Sequence, residues 1–210
     1  MRSAVIGMRW ILVLAAATGA LGGCVLLFGG AALGGAVVAT DRRSVGMQLE
    51  DAQIEHRINS ALDGRFTRES VRIDVSSYNQ KVLLAGQVPR DKDRSDAEAL
   101  ATSSLNVRQV VNELTIGSLS GLASQADDNM LAAKVRAALL DVPGLGTGVV
   151  KVACTNSVIY LMGDVSSAEA DVAKRATSHV NGVNRVVALF DVRSVPQTAA
   201  PAPASSGPAH

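Results

Sequence analysis

Aromatic residues are scarce in this 210-residue chain, at 3% of the sequence, although 48% of all residues are hydrophobic. Any core must therefore be built from Val, Leu, Ile and Ala. Cysteine occurs only twice, which excludes a disulfide-dense scaffold and a zinc site built from cysteines. The net charge of +1 and the lack of a Lys/Arg run exclude a strongly basic nucleic-acid-binding protein, and we predict no nucleic-acid partner.

Catalytic constellations are also lacking. His56 and His179 lie on predicted helices and His210 ends the chain, with no spacing to Cys, Asp or Glu that indicates a metal site or a catalytic triad. The glycine-rich segment 144–148 follows a predicted helix and precedes a strand, which is the reverse of a phosphate-binding loop. We therefore predict a protein that is not an enzyme and that carries neither a metal nor a cofactor.

The N-terminal region has the composition of an export signal. Two arginines precede a short apolar segment at 10–20, and no charged residue follows before Asp41. The sequence Leu-Gly-Gly-Cys at 21–24 resembles a bacterial lipobox, in which small residues precede a cysteine that is acylated and becomes the N-terminus. We predict a lipoprotein signal peptide at 1–23 and lipidation of Cys24.

A transmembrane helix is the main alternative for this region, since the uncharged stretch exceeds the roughly 20 residues that span a bilayer. Gly-Gly pairs interrupt it at 22–23, 29–30 and 34–35, and each glycine inside a helix costs about 1 kcal/mol relative to Ala. The pattern favours a cleaved signal, and an uncleaved anchor and plain secretion remain the alternatives.

An internal repeat sets the architecture. Residues 54–116 and 131–192 carry one pattern at an offset of 77 positions, which becomes 76 in the last part. The matched pairs include Leu62 with Leu139, Gly86 with Gly163, Val88 with Val165 and Val110 with Val186. The chain therefore specifies the same small module twice.

Each copy predicts the element order αββαβ. An amphipathic helix comes first, then two strands joined by an Asn-containing turn, a second helix, and a last strand that pairs in parallel. The predicted fold class is α+β, with two tandem modules that each place two helices on one face of a three-stranded mixed sheet. After the first helices, the predicted elements are strands 71–75 and 82–88, helix 91–104 and strand 107–116 in copy one, strands 150–152 and 158–165, helix 167–180 and strand 183–192 in copy two, and turns at 78–80 and 155–157.

Two segments of the first copy carry a family resemblance. Val-Leu-Leu-Ala-Gly-Gln-Val at 82–88 and Val-Val-Asn-Glu-Leu at 110–114, within an αββαβ unit, resemble the BON domain. A lipobox, an Ala/Gly-rich run, Thr-Asp-Arg-Arg-Ser-Val-Gly at 40–46 and two such modules are together similar to the dual-BON outer-membrane lipoproteins. The resemblance implies a protein on the inner leaflet of the outer membrane that faces the periplasm, binds anionic phospholipid through its second module, supports envelope integrity and concentrates at division sites.

The resemblance and the composition together predict the domain organisation. The tail holds four of the six prolines and is typical of disorder. The predicted segments are the signal peptide at 1–23, a lipidated linker at 24–46, BON domain 1 at 47–117, a linker at 118–124, BON domain 2 at 125–193 and the tail at 194–210.

The two copies differ on the outer face of their first helix. In copy two this face carries an apolar stripe edged with cations, namely Met130, Ala133, Ala137 and Leu140, flanked by Lys134 and Arg136. The same positions of copy one hold a solvated face, namely Gln53, His56, Ser60 and Asp63. Two interpretations fit the stripe. It packs against module one or a second chain, or it lies on a membrane with its cations on anionic head groups.

The resemblance favours the membrane interpretation and makes these six residues the predicted lipid-binding set. Met130 stands where family members carry a large aromatic, which is a better interfacial anchor. We expect Arg42 and Arg43, in the segment 41–50, to add a further weak membrane attachment. We expect Cys154 to be a small packed residue beside a hairpin turn. The alternative partner is a periplasmic or outer-membrane protein that docks on the same stripe.

Overall fold

A computed structural model describes residues 41–67, 69–146 and 148–193 of the chain. The predicted signal peptide, Cys24, the linker up to residue 40 and the tail from 194 lie outside these residues. Module one contains α1 (Val45–Arg65), β1 (Arg72–Tyr78), β2 (Lys81–Val88), α2 (Asp91–Thr102) and β3 (Gln109–Ile116). Module two contains α3 (Leu122–Leu140), β4 (Val150–Thr155), β5 (Val158–Ser166), α4 (Ser167–Ser178), β6 (Arg185–Ala188) and β7 (Asp191–Arg193). The α+β class and the αββαβ order of both copies are confirmed.

The sheet of each module is mixed. In module one, β1 pairs antiparallel with β2, and β2 pairs parallel with β3 across the α2 crossover. Module two repeats this with β4, β5 and β6. The prediction of one unbroken last strand at 183–192 is wrong, because the ladder stops after Ala188 and resumes as β7 in the same register against β5. At the break, the Phe190 ring packs over Gly163, which has no side chain in the way.

The hairpin turns are tighter than predicted. Tyr78 and Thr155 belong to the strands, so each turn consists of two residues. Asn79 and Gln80 have φ of 52° and 63°, and Asn156 and Ser157 have φ of 52° and 59°. Positive φ at both central residues defines the type I′ turn, whose twist matches that of the flanking strands and which asparagine tolerates well.

Gly86 and Gly163, paired by the repeat, are required where the first two strands of each module approach each other. A Cβ on Gly86 would lie 2.0 Å from the carbonyl oxygen of Arg72, and one on Gly163 would lie 2.7 Å from that of Val149. Gly86 also has φ of 138°, which side chains rarely adopt. The glycine that marked the repeat in the sequence is therefore a structural necessity of both sheets.

The helices of each module cover one face of its sheet and enclose an aliphatic core. The other sheet faces meet each other, in a buried cluster formed by Tyr78, Leu83, Ala85, Tyr160 and Met162. The module cores are small, and burying this second layer supplies the apolar area that a module of such size lacks by itself. The two modules therefore pack through their sheets, which leaves the outer faces of the helices uncovered by this contact.

Candidate functional site

Helix α3 has one buried and one exposed apolar face. Leu131, Val135 and Leu139 point into the core of module two. On the other side, Met130 and Leu140 are 61% and 60% exposed, and the two alanines predicted between them, Ala133 and Ala137, are also exposed. The interpretation that this stripe packs against module one is wrong, because the modules meet through their sheets.

The stripe is longer than the sequence indicated. Helix α3 already begins at Leu122, so Leu122, 83% exposed, and the exposed Ala126 join the same face. At about 100° per residue the apolar positions fall within an arc of about 80°, and at 1.5 Å per residue they span about 27 Å. We call this set the α3 stripe: Leu122, Ala126, Met130, Ala133, Ala137 and Leu140. The first turns were missed because the polar run 124–129 has the composition of a linker.

Two cations border the α3 stripe on opposite sides. Lys134 and Arg136 are both exposed. Neither forms an ion pair with a carboxylate of the described residues, and Arg136 donates one hydrogen bond, of 3.1 Å, to the carbonyl of Val152. Basic residues at the module boundary differ, since Arg72 is paired with Asp128 and Lys151 with Glu55. The positive charge beside the stripe therefore remains available to an external anion.

A small apolar cavity of about 240 Å³ opens at the C-terminal end of the stripe. Leu139, Leu140 and Leu145 line it together with Arg136 and the loop residue Gly148. A Cβ added to Gly148 would lie 3.9 Å from the backbone nitrogen of Asp41, the first described residue. The chain therefore enters the fold beside the Leu140 end of helix α3.

Arg42 and Arg43 do not form the free cationic segment that we expected. Arg42 donates to both carboxylate oxygens of Glu169, at 2.6 and 3.0 Å, and to the carbonyl of Asp164 at 2.9 Å, all in module two. Arg43 pairs with Asp51 of module one. The expected membrane role of both arginines is wrong, because the carboxylates of Glu169 and Asp51 already neutralise them. The segment instead links the two modules through these ion pairs.

The ion pair between Arg42 and Glu169 predicts an acid-sensitive contribution to stability. Hydrogen bonds from Arg42, followed by those from Ser166, lower the pKa of Glu169 to about 2. A folded-state pKa below the unfolded value, about 4.3, stabilises the fold above that value and loses this effect as pH falls toward 2. Glu169→Gln keeps an acceptor for the Ser166 cap but removes the charge. We expect its thermal midpoint to be lower than wild type at pH 7 and equal to wild type near pH 2; a constant difference across this range would contradict the assignment.

Comparisons with known proteins agree with the repeat. The sequence pattern of the BON domain matches residues 50–118 and 127–194, which together exceed half of the chain. The chain belongs to the BON-domain family. The chain is 32% identical over 185 residues to the outer membrane lipoprotein DolP of Haemophilus influenzae, covering 87% of this chain and 95% of that protein.

Two further relatives are similar over shorter stretches. The 21 kDa hemolysin of Actinobacillus pleuropneumoniae is 33% identical over 153 residues, covering 72% of this chain and 78% of that protein. The osmotically-inducible protein Y of Escherichia coli K12 is 28% identical over 158 residues, covering 72% of this chain and 77% of that protein. Both relatives therefore share about a third of their aligned residues or slightly less with this chain, over most of its length.

Each BON module of this chain contains a buried aspartate that sequence reasoning missed. Asp51, on α1, is 2% exposed. Its carboxylate accepts hydrogen bonds from the backbone nitrogens of Asn79 and Gln80, both at 2.8 Å, and from Ser77 Oγ at 2.7 Å. Arg43 supplies the compensating charge. The amides of the type I′ turn have no strand partner, so the Asp51 carboxylate satisfies them and links the turn to the first helix.

Asp128 repeats this arrangement in the second BON module, at the offset of 77. It accepts hydrogen bonds from the backbone nitrogens of Asn156 and Ser157, both at 2.9 Å. Its charge partner is Arg72 of module one, at 3.3 Å. The offset of 77 that aligns Leu62 with Leu139 also aligns the two aspartates. Sequence analysis missed them because it did not compare the charged positions of the two first helices' buried faces.

Cys154 occupies the place that Ser77 holds in the first BON module, with its Sγ 3.5 Å from Asp128 Oδ1. It is half-buried, and burial followed by the neighbouring Asp128 charge raises the pKa of its thiol to about 12. A thiol with that pKa is protonated at neutral pH and is a poor nucleophile. The structure agrees with the expected packing role beside the turn.

The thiol has a measurable signature. We expect Cys154 in the folded protein to react with iodoacetamide at pH 8 far more slowly than in the protein unfolded by urea. We also expect Cys154→Ser to keep the thermal midpoint, since Ser77 makes the equivalent bond. Rapid labelling of the folded protein would show that the thiol is accessible and ionised.

The remaining candidate residues stay apart. His56 and His179 are exposed, and His179 Nδ1 contacts only the Arg175 carbonyl of its own helix, at 2.6 Å. Within the described residues, no three His, Cys, Asp or Glu side chains form a group suited to a metal. No helix in that same part of the chain is long and apolar enough to cross a bilayer.

Proposed function

We propose that this protein is a non-enzymatic outer-membrane lipoprotein that faces the periplasm and binds anionic phospholipid through the α3 stripe of its second BON module. In this role it supports envelope integrity and concentrates at division sites. The similarity to a relative named an outer membrane lipoprotein, over most of both chains, supports the location. The lipobox at 21–24 supports the lipid anchor.

The observation that carries the lipid assignment is the combination of the α3 stripe with Lys134 and Arg136, two cations that form no ion pair with a carboxylate of residues 41–67, 69–146 or 148–193. An amphipathic helix that lies on a membrane buries its apolar face at the acyl boundary and places Lys and Arg at the head groups. Met130 and Leu140 supply the large apolar groups, and Lys134 and Arg136 supply the charge. Each basic residue near an anionic surface contributes about 1 kcal/mol.

The α3 stripe is a modest anchor by itself, because half of its members are alanines and none is aromatic. A tether changes this, since an acylated Cys24 would hold the helix at a high effective concentration near the bilayer. The chain enters the fold at Asp41, beside Gly148 and the Leu140 end of α3. The described part of the chain therefore begins beside the end of the helix that we propose contacts the membrane.

Lipidation is tested by mass spectrometry of the protein purified from a bacterial envelope. We expect the N-terminal peptide to begin at Cys24 and to carry the mass of a diacylglyceryl group and an amide-linked acyl chain. Recovery of a peptide from the 1–23 segment, still joined to Cys24, would contradict the proposal and favour an uncleaved anchor. As a control, Cys24→Ser should block both the cleavage and the added mass.

An interaction scaffold is the second candidate function. The observation that favours it is the small residues in the middle of the α3 stripe, Ala126, Ala133 and Ala137, because small side chains let another helix approach closely. In that case a periplasmic or outer-membrane protein docks on the stripe and lipid contact is incidental. Vesicles of defined composition, which contain no protein partner, separate the two functions.

A further inference from the structure

The apolar cavity at the C-terminal end of helix α3 is continuous with the α3 stripe. Leu139, Leu140, Leu145 and Val150 line it, and among the described residues around it Arg136 is the one charged side chain. We call this space the α3 cavity. Because Leu140 belongs to both the stripe and the cavity, a bilayer that covers this end of the stripe also meets the cavity.

The fold builds an equivalent cavity in module one. We call it the α1 cavity; its volume is about 400 Å³, and the end of α1 and strand β1 contribute to its lining. The offset of 77 aligns five lining residues of the two cavities: Asn59 with Arg136, Leu62 with Leu139, Asp63 with Leu140, Val71 with Gly148 and Ile73 with Val150. The cavity is therefore a product of the module fold, and the residues around it distinguish the two copies.

The charges around the two cavities differ in sign. Asp63 and Asp74 both line the α1 cavity. Arg72, which also lines it, is paired with Asp74 and with Asp128 of module two, each at 3.3 Å. In the α3 cavity, a leucine replaces Asp63 and an arginine replaces the amide of Asn59. An anionic ligand with an apolar tail therefore suits the α3 cavity and is repelled by the carboxylates of the α1 cavity.

The guanidinium of Arg136 can bind such an anion. Its Nη2 donates to the carbonyl of Val152 at 3.1 Å, and it forms no ion pair with a carboxylate of the described residues. The side chain is exposed, so its remaining N–H donors are accessible. A planar guanidinium is well suited to phosphate, to which it donates two parallel hydrogen bonds.

The size of the α3 cavity suits part of one acyl chain. An apolar protein cavity of about 150 Å³ binds benzene, which has six carbons. By the same scale, the volume of about 240 Å³ accommodates about eight to ten carbons. Ligand sites in proteins commonly combine such an apolar lining with a few polar groups that fix the orientation of the ligand.

We infer that the α3 cavity holds one acyl chain of an anionic phospholipid while Arg136 binds the phosphate of the same molecule. This inference rests on the proposed function, and it adds a site for one lipid molecule to a helix face that otherwise lies on the bilayer surface. A site of this kind binds a lipid even where no bilayer is present. An exposed helix face alone has no enclosed space for a single chain.

Binding of a monomeric lipid tests the inference. The unacylated chain, residues 24–210 with Cys24→Ser, is titrated with dihexanoyl phosphatidylglycerol below the concentration at which this lipid forms micelles. The methyl signals of leucine, valine and isoleucine are followed by NMR. We expect saturable binding of one lipid per chain, with shifts at Leu139, Leu145 and Val150 and none at Leu62 or Ile73. Glycerol 3-phosphate, which lacks acyl chains, should bind at least about tenfold more weakly.

Two substitutions address the two parts of the site. Arg136→Asn introduces the residue that the α1 cavity carries, and Val150→Phe adds side-chain volume inside the α3 cavity. We expect each to weaken binding of the monomeric lipid about tenfold. Ile73→Phe, at the equivalent position of the α1 cavity, is the matched control and should bind as the parent chain does. Thermal unfolding establishes that all three variants are folded.

The outcomes separate this inference from the proposed function. Vesicle binding without binding of the monomeric lipid would overturn the inference and leave the proposed function intact, and absence of both would overturn both. Equal binding by the parent chain, Arg136→Asn and Val150→Phe would also overturn the inference, as would equal shifts in the two cavities. Loss of monomer binding in the acylated protein alone would assign the cavity to the acyl chain of Cys24 and overturn the assignment to a phospholipid.

Discussion

Leu140→Glu is expected to abolish binding of the unacylated chain to anionic vesicles and to leave its thermal midpoint within about 2 °C of wild type. Leu140 is 60% exposed, so the fold gains little from it, and the repeat places Asp63 at the same position of α1. At a membrane the change removes the burial of one leucine, about 1.5–3 kcal/mol, and adds repulsion from anionic head groups. A glutamate four residues after Arg136 would also neutralise that cation.

The matched control places the same charge on the equivalent face of module one. Ser60 is exposed and corresponds to Ala137 of the α3 stripe, so Ser60→Glu should bind vesicles as the parent chain does. Both variants are followed by vesicle co-sedimentation and by thermal unfolding. A midpoint lowered by several degrees in Leu140→Glu would place this side chain in protein packing and would favour the scaffold. Equal loss of vesicle binding in both variants would show that lipid binding is not confined to module two.

Asp128→Ala is expected to have the largest effect on stability of any single change discussed. It removes the acceptor of the Asn156 and Ser157 amides and the buried charge partner of Arg72, whose side chain is 13% exposed and keeps only the half-exposed Asp74. Breaking a buried pair in this way typically costs about 3–5 kcal/mol. For a chain of this size that corresponds to a thermal midpoint lowered by about 10 °C.

The adjacent acidic residue provides the control for this experiment. Asp127 is exposed, one position away on the same helix. We expect Asp127→Ala to shift the midpoint by no more than about 2 °C. A small and equal effect of both substitutions would contradict the structural role of Asp128. Vesicle binding by folded Asp128→Ala should be retained, since the α3 stripe itself is unchanged.

Most of the fold could be predicted from the repeat, because apolar spacing, the Asn-containing turns and Gly86 with Gly163 all recur at one offset. The exposed apolar face of α3 could also be predicted, since helical periodicity places Met130 and Leu140 opposite the residues that must be buried. These features depend on neighbours in the chain, and local periodicity encodes them directly. The start of α3 at Leu122 did not follow, because polar residues on a helix and in a linker have the same composition.

The roles of Arg42 and Arg43 could not be predicted, since their partners Glu169 and Asp51 are recognised only once the two modules are packed. An arginine pair near a predicted lipid anchor is typical of a membrane contact by sequence, and tertiary ion pairs override that pattern. The buried position of Asp128 was equally hidden, because a carboxylate on a helix is expected to be solvated until the turn that it binds is known.

A vesicle titration tests the central claim most directly. The unacylated chain, residues 24–210 with Cys24→Ser, is titrated at fixed salt with vesicles in which the fraction of phosphatidylglycerol in phosphatidylcholine rises from zero to one half. Because Lys134 and Arg136 are positively charged, we expect the fraction of protein bound to rise with the fraction of anionic lipid. We expect it to fall when salt is added, because salt screens the attraction between these side chains and the head groups. Absence of binding at every composition, or binding that is the same for neutral and anionic vesicles, would contradict the account.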